Sequence, residues 1–160
     1  GSNENENLFN EAQYLINSIN NPLSMNKANE HALAGSSYLF SSNSEHMVLL
    51  VLPRENIDIT YLQTLISDFH LNNIGIESFQ ISSLLLGSEN HLIMIKSFEN
   101  ARESLNYVSL FKEQKIIMDI LNSIDCKIMC ISLDNFPEFY KNNDAEGYHN
   151  YFINKYLTTY

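Results

Sequence analysis

Residues 76–98 read IESFQISSLLLGSENHLIMIKSF, and this stretch decides the fold class. Two apolar runs typical of strands, 76–86 and 91–98, flank Gly87-Ser88-Glu89-Asn90, whose residue types favour a turn. The stretch therefore predicts a β-hairpin. A parallel doubly wound sheet needs a helix between successive strands, and residues 76–98 leave no room for one. We expect an antiparallel sheet instead.

Hydrophobic periodicity predicts the elements on either side of the hairpin. Residues 46–52, HMVLLVL, closed by Pro53, form a continuous apolar run typical of a buried strand, and residues 127–133 form another. Apolar residues at helical spacing predict helices over 58–71, 99–111, 113–124, 134–140 and 144–156. Asp58 and Asp134 are the predicted N-caps of two of them.

The order of these elements predicts an α+β fold of the ferredoxin-like βαββαβ type, an antiparallel four-stranded sheet with extra N- and C-terminal helices. A different α+β order is the alternative. We assign residues 45–160 to this domain. Residues 1–44 are predicted to be an N-terminal helix (8–19) and a connector with a second short helix (26–34). Gly1-Ser2 is typical of a cleaved purification tag, and we expect a domain excised from a longer protein.

The charge balance excludes two classes of partner. The 160-residue chain carries nine basic and nineteen acidic residues, for a net charge of −10. Nucleic-acid binding and adsorption on anionic lipid both depend on positive charge, so neither is expected. No apolar run approaches the roughly 18 residues of a membrane helix, and membrane insertion of this domain is not expected either.

Side chains that could carry out chemistry are scattered. In a strand, Cys126 and Cys130 would lie about 13 Å apart, beyond the roughly 7 Å limit between the Cα atoms of a disulfide, so we interpret them as small buried hydrophobes. None of the five histidines has a second histidine at metal-binding helical spacing, and no metal or cofactor is predicted. His46 and His91 each begin a predicted strand and would share a sheet edge if those strands were neighbours.

The remaining catalytic patterns are also missing from the sequence. It has no glycine-rich phosphate loop and no GxSxG elbow. Asp68 and Asp119 lie on amphipathic helices and are predicted to face solvent. We therefore expect a protein that is not an enzyme.

Aromatic residues crowd the last quarter of the chain. They are Phe136, Phe139, Tyr140, Tyr148, Tyr151, Phe152, Tyr156 and Tyr160. Their helical spacing favours a core in which terminal helices cover the sheet. The alternative is that a subset, Phe136, Phe139, Tyr140 and Tyr148, forms a partner-binding patch, because tyrosines with one solvated end are common in interfaces.

Two central strands raise the question of what covers the sheet. Apart from the initial histidines, residues 46–52 and 91–95 are apolar at consecutive positions, so apolar side chains point to both faces of the sheet and both faces must be covered. The N-terminal helix, the C-terminal helices or a second subunit could do this. We expect the chain to cover itself.

An ordered series of segments resembles one known family. The segments are HMVLLVLP (46–53), LISDF (65–69), IMIKSFENA (93–101), ISLDNFPEFY (131–140) and the aromatic run 148–156. In this order they are similar to the C-terminal domain of the tetratricopeptide-repeat lipoproteins of Bacteroidetes, which serve type IX secretion and gliding motility. The resemblance implies a scaffolding domain in the periplasm, tethered to the outer membrane through an upstream lipoprotein region, whose partners are other secretion-machinery proteins. It implies no catalytic residues.

A second, looser resemblance is to the sporulation-related repeat, a small βαββαβ module that binds peptidoglycan glycan strands. The run Ile95-Lys96-Ser97-Phe98-Glu99-Asn100-Ala101 is similar to its hydrophobic strand followed by phenylalanine and alanine. This resemblance implies glycan binding on an open sheet face. A third hypothesis, from the fold class alone, is a regulatory ferredoxin-like domain that binds a small molecule in a cleft near His46 and His91.

Overall fold

The structure is a computed structural model that describes residues 38–73 and 79–160. The chain divides into two compact units, 1–38 and 39–160, and the elements described belong to the second. The predicted helices over 8–19 and 26–34 lie outside the described residues. The elements are β1 (His46–Pro53), α1 (Ile59–Asn73), β2 (Gln80–Leu86), β3 (Asn90–Phe98), α2 (Ala101–Lys112), α3 (Lys115–Asn122), β4 (Lys127–Ser132), α4 (Phe136–Asn142) and α5 (Ala145–Lys155).

The four strands form one sheet in the order β2-β3-β1-β4, and every neighbouring pair is antiparallel. β1 and β2 run parallel with β3 inserted between them, and β3 and β4 run parallel with β1 between them. This interleaving of two βαβ units confirms the predicted ferredoxin-like architecture. The hairpin of residues 80–98 enforces it, because a three-residue turn, 87–89, joins β2 directly to β3 and every helical connection must cross to a strand further away.

β1 lies at the centre of the sheet and of the core. Val48, Leu49 and Leu50 are successive residues, so their side chains point to opposite faces, and all three are fully buried. Both faces of β1 are therefore covered, and the expectation that the chain covers its own sheet is confirmed. Pro53 ends the strand opposite Asn90, at a terminal position where the missing N–H removes no interior ladder bond.

α2 packs against three of the four strands, β1, β3 and β4. Its first turn places the small, fully buried residues Ala101 and Ser104 on the side of the core, which allows the helix to approach the sheet closely. The helix begins with a reciprocal cap. The Oδ1 atom of Asn100 accepts from the backbone N–H of Glu103, and the carboxylate of Glu103 accepts from the N–H of Glu99.

One of the two predicted N-caps is confirmed and the other is wrong. The carboxylate of Asp58 accepts from the N–H of Tyr61 at 2.9 Å, which confirms that cap. The prediction for Asp134 is wrong: α4 begins at Phe136, with Asn135 in the N-cap position. The side chain of Asn135 does not cap the helix, because its Oδ1 and Nδ2 atoms bind the backbone N–H and C=O of Leu39, at 3.1 and 2.8 Å.

Other boundaries differ from the predictions by a few residues. β2 begins at Gln80 rather than residue 76, and residues 74–78 lie outside the described part of the chain. The two compact units meet between residues 38 and 39, whereas the sequence places the domain boundary at 44/45. The double hydrogen bond to Asn135, together with the bond from the N–H of Ala101 to the carbonyl of Ser42, attaches residues 39–44 to the sheet domain.

The cap of α2 gives a direct stability prediction. Replacing Asn100 with alanine leaves the N–H of Glu103 without its side-chain acceptor, and we expect the free energy of unfolding to fall by about 1 kcal/mol, within a range of roughly 0.5–2 kcal/mol. Asn154→Ala, at an exposed position inside α5, is the matched control and should change the free energy by less than about 0.5 kcal/mol. Urea unfolding measures both, and equal effects would contradict the cap.

Candidate functional site

The structure divides the four residues of the predicted partner patch into two pairs. Phe139 and Tyr148 are fully buried, and their rings meet edge to face with centroids 5.6 Å apart. Phe136 is half-buried, and Tyr140 is 43% exposed. Two of the four are therefore core residues that a partner does not reach in this conformation. Only Phe136 and Tyr140 present surface.

The exposed pair joins a second apolar feature that sequence reasoning missed. The rings of Phe136 and Tyr140 stack with centroids 5.9 Å apart and planes inclined by 28°. The hydroxyl of Tyr140 donates to the backbone carbonyl of Leu85, at 3.3 Å. Leu84 and Leu85 of β2 are 42% and 43% exposed. We call the residues that present surface at this edge of the sheet, Leu84, Leu85, Phe136 and Tyr140, the β2–α4 patch, in which Leu84 and Leu85 point to opposite faces of β2.

The turn between β2 and β3 holds α4 in this position. Gly87 has a φ of +60°, a conformation that residues with a Cβ adopt only with strain. A Cβ at Gly87 would also collide with the side-chain amide of Asn143, the left-handed residue that ends α4. The close approach of the turn and the helix end places Tyr140 beside the edge of β2.

The sequence contained one signal for the missed leucines. Leu84-Leu85-Leu86 are consecutive residues of a strand, so their side chains alternate between the two faces of the sheet. β2 is an edge strand with one neighbour, β3, and the structure buries only Leu86 of the three. Which strand would lie at the edge followed from the ferredoxin-like order, but the degree to which helices cover that edge did not.

The two strand-initial histidines do not form a cleft. His91 pairs with Leu52, six residues along β1 from His46, which separates the two histidines by about 20 Å at roughly 3.3 Å per residue. His46 is fully buried, and both of its ring nitrogens are bonded within the chain. The small-molecule hypothesis requires a cleft near His46 and His91, and these two residues do not form one.

Both buried histidines are paired with buried tyrosines. The carbonyl of Ser44 lies 2.6 Å from Nδ1 of His46, so Nδ1 carries the proton and Nε2 accepts from the hydroxyl of Tyr156 at 2.8 Å. His70 of α1 contacts the hydroxyl of Tyr107 of α2 through Nε2 at 2.6 Å, which connects the two crossover helices. Burial lowers the pKa of His46 and that of His70, so both imidazoles are held neutral.

Groups with catalytic or ligating chemistry are dispersed over the surface. Asp68 and Asp119 are exposed, which confirms the prediction that they face solvent. The largely buried side chain of Lys127 forms two ion pairs. Its Nζ atom lies 3.6 Å from a carboxylate oxygen of Asp125 and 3.4 Å from one of Glu146. Within residues 38–73 and 79–160, no cluster of three or more His, Cys, Asp or Glu side chains is arranged to hold a metal ion. The same residues include no helix with the length and apolarity that crossing a membrane requires.

A shallow, open depression lies at the other end of β1. Pro53, Arg54, Glu55, Ser88 and Glu89 line it. The guanidinium of Arg54 donates to the carbonyl of Ser88 at 3.3 Å, and its backbone N–H donates to the carbonyl of Glu89 at 2.9 Å. These bonds attach the strand end to the hairpin turn, and we interpret the depression as a structural junction.

Comparison with known proteins adds no relative: no protein-family model matches the chain, and neither a curated protein nor a solved structure is significantly similar to it.

The histidine–tyrosine pairs predict how stability depends on pH. The unfolded chain binds protons on these histidines near pH 6.5, whereas the folded chain binds them only at lower pH. The stabilisation is therefore complete above pH 6.5 and is lost as the pH falls below it. We expect urea unfolding to give a smaller free energy at pH 5.5 than at pH 7.5. His46→Gln and His70→Gln should each reduce this difference, and a difference unchanged in both variants would contradict the assignment.

The two cysteines predict a lack of thiol reactivity. Both are free; Cys130 is buried as predicted, whereas Cys126 is half-buried, and burial raises the pKa of each thiol to about 12. Because the thiolate is the reactive form, a disulfide reagent at pH 8 should label the folded protein very slowly and label both thiols on addition of denaturant. Fast labelling of the folded protein would contradict the burial of these side chains.

Proposed function

We propose that this chain is a non-enzymatic protein-interaction domain that serves as a scaffold in a secretion or gliding-motility assembly. We place it in the periplasm, where an upstream lipoprotein region tethers it to the outer membrane. The observation that carries the interaction role is the β2–α4 patch, where exposed leucines adjoin a stacked phenylalanine and tyrosine. The location rests on the family resemblance of the ordered segments between residues 46 and 156.

The composition of the patch supports protein binding. Aromatic side chains are enriched at the centres of protein interfaces, and tyrosine combines an apolar ring with a polar end. Tyr140 has this arrangement: one side of its ring stacks on Phe136, while its hydroxyl binds a backbone carbonyl of β2. The two exposed leucines extend the apolar area onto the sheet edge. Adjacent apolar side chains of this size are more informative than single exposed ones, which are common on any surface.

The covered sheet favours protein binding over glycan binding. In the sporulation-related modules that the sequence loosely resembles, the glycan would lie on an open sheet face. Here Val48, Leu49 and Leu50 of β1 and Ile93 of β3 are fully buried, so the central strands offer no open face. The accessible part of the sheet is its β2 edge.

The experiment is capture of partners from a bacterial envelope extract with the immobilised domain. We expect the wild-type domain to enrich secretion-ring or gliding proteins. The double variant Leu85→Ser/Tyr140→Ser removes apolar area from the patch, and we expect it to retain less than about a tenth of the captured protein, a loss of roughly 1.4 kcal/mol or more in binding. Ile116→Ser is the matched control, because Ile116 is 66% exposed on α3 and belongs to no part of the patch.

Three outcomes would contradict the proposal. Failure of the wild-type domain to enrich any secretion or gliding component removes the assigned role. Equal capture by the patch variant and the wild type would mean that the patch is not the binding surface. Sedimentation of the domain with purified sacculi, in the absence of protein partners, would favour the glycan-binding alternative.

A further inference from the structure

The two edges of the sheet differ in how far other elements cover their backbone groups. At the β4 edge, the backbone carbonyl of Cys130 accepts from the hydroxyl of Tyr148 at 2.6 Å, and both residues are fully buried. Tyr148 belongs to α5, which packs against β4. A helix therefore packs beside this edge and satisfies the carbonyl of Cys130; covering an edge with a helix is a common protection against pairing with another chain.

The β2 edge has little such cover. Among the described residues, β2 pairs with β3 alone. The carbonyl of Leu85 accepts from Tyr140 outside the ladder, which shows that the backbone groups of Leu85 point away from β3. Backbone direction alternates along an antiparallel strand, so the N–H and C=O groups of Ser83 and Ile81 point the same way. Ser83 is exposed and Ile81 is half-buried, so the outward groups of Ser83 lie next to solvent.

The sequence of β2 contains none of the devices that prevent edge pairing. The strand reads QISSLLL, without a charged residue and without proline. Lysine, proline and inward-pointing charges are the usual means of keeping an exposed edge from binding a further strand. An uncharged edge strand with exposed leucines, whose outward backbone groups at Ser83 make no bond to another described residue, has the properties of a docking site for an extended segment.

We propose that β2 accepts an additional β-strand, supplied by an extended segment of a partner protein. The proposal rests on the interaction role proposed above and specifies its mode: backbone hydrogen bonds to Ser83 and Ile81, with apolar contacts to Leu84 and Leu85. The carbonyl of Leu85 already accepts a hydrogen bond from the hydroxyl of Tyr140. The added strand therefore ends before it reaches this residue.

The net charge of the chain indicates which kind of segment can pair with β2. The chain carries a net charge of −10, so two copies that paired through β2 would repel each other. A segment without acidic residues meets no such repulsion, and a basic one is attracted. We therefore assign the site to an uncharged or basic segment of another protein, with apolar side chains at alternate positions so that one row faces Leu84.

The test uses a defined peptide probe, acetyl-Lys-Val-Thr-Val-Thr-Val-Lys-amide, and amide hydrogen exchange followed by NMR. Strand addition removes the amide of Ser83 from solvent, so its exchange should slow by about tenfold when about nine-tenths of the protein is bound. The same peptide with alternate backbone nitrogens methylated cannot form the ladder and should give no protection. An unchanged exchange rate of the Ser83 amide at millimolar peptide would overturn the proposal.

A pair of variants separates backbone pairing from side-chain contact. In Ser83→Pro the outward N–H is lost while the ladder to β3 is kept, because proline is tolerated on an edge where the N–H faces solvent. This variant should lose peptide binding, whereas Ser83→Thr retains the N–H and should bind as the wild type does. Binding of the peptide by Ser83→Pro would overturn strand addition. A circular-dichroism spectrum and a urea unfolding curve like those of Ser83→Thr establish that the proline variant is folded.

The outcomes distinguish this proposal from the interaction role on which it rests. If the envelope partner is captured equally by the wild type and Ser83→Pro, the interaction role stands and strand addition is wrong. If the wild type captures no envelope protein but the peptide protects Ser83, the edge binds strands and the assigned role is wrong. A dimer in sedimentation equilibrium that Ser83→Pro dissociates would identify the occupant as a second copy and overturn the assignment to a partner.

Discussion

The structure depends on the burial of β1 on both faces. Val48, Leu49 and Leu50 cannot all reach the core from a sheet with one solvated face, so elements must cover both sides of the central strand. α2 approaches β1, β3 and β4 through the small residues of its first turn, and α5 packs against β4. The apolar area of the sheet is therefore used in the core of the fold, and within the four described strands the exposed leucines lie on β2.

Tyrosine hydroxyls satisfy the polar groups that this burial would otherwise isolate. Tyr156 donates to His46, Tyr107 bonds His70, and Tyr148 donates to the carbonyl of Cys130. An unpaired buried donor or acceptor costs roughly 1–3 kcal/mol, so these bonds are a condition for packing the aromatic rings in the core. Two tyrosines in the last quarter of the chain, Tyr148 and Tyr156, meet this requirement.

Tyr140 makes the same type of bond at the opposite edge but remains exposed. Its hydroxyl binds an outward carbonyl of β2, as Tyr148 does on β4, yet no described helix covers the strand beyond that point. The β4 edge is thus buried beside a helix at Cys130, whereas Ser83, Leu84 and Leu85 of β2 are exposed. A domain with this arrangement can bind a partner at the β2 edge without exposing its core.

Local patterns in the sequence were sufficient for the fold. The continuous apolar runs, the helical periodicities and the turn at Gly87 act over a few residues, and the antiparallel order follows once the hairpin excludes a crossover between β2 and β3. They were insufficient where a side chain had two possible uses. Asp134 and Asn135 are both capable of capping α4, and only the position of Leu39 in space assigns the amide of Asn135 to another role.

The candidate site shows the same division between sequence and tertiary structure. The sequence grouped Phe136, Phe139, Tyr140 and Tyr148 as a candidate patch because aromatic residues crowd the last quarter of the chain and tyrosines are common in interfaces. Which of them is buried depends on the distance between each helix face and the sheet, and that distance is set by packing between elements far apart in sequence. The sequence by itself determined the strands, the helices and their order. Only the tertiary structure decided that Tyr148 closes one edge while Tyr140, Leu84 and Leu85 remain exposed at the other.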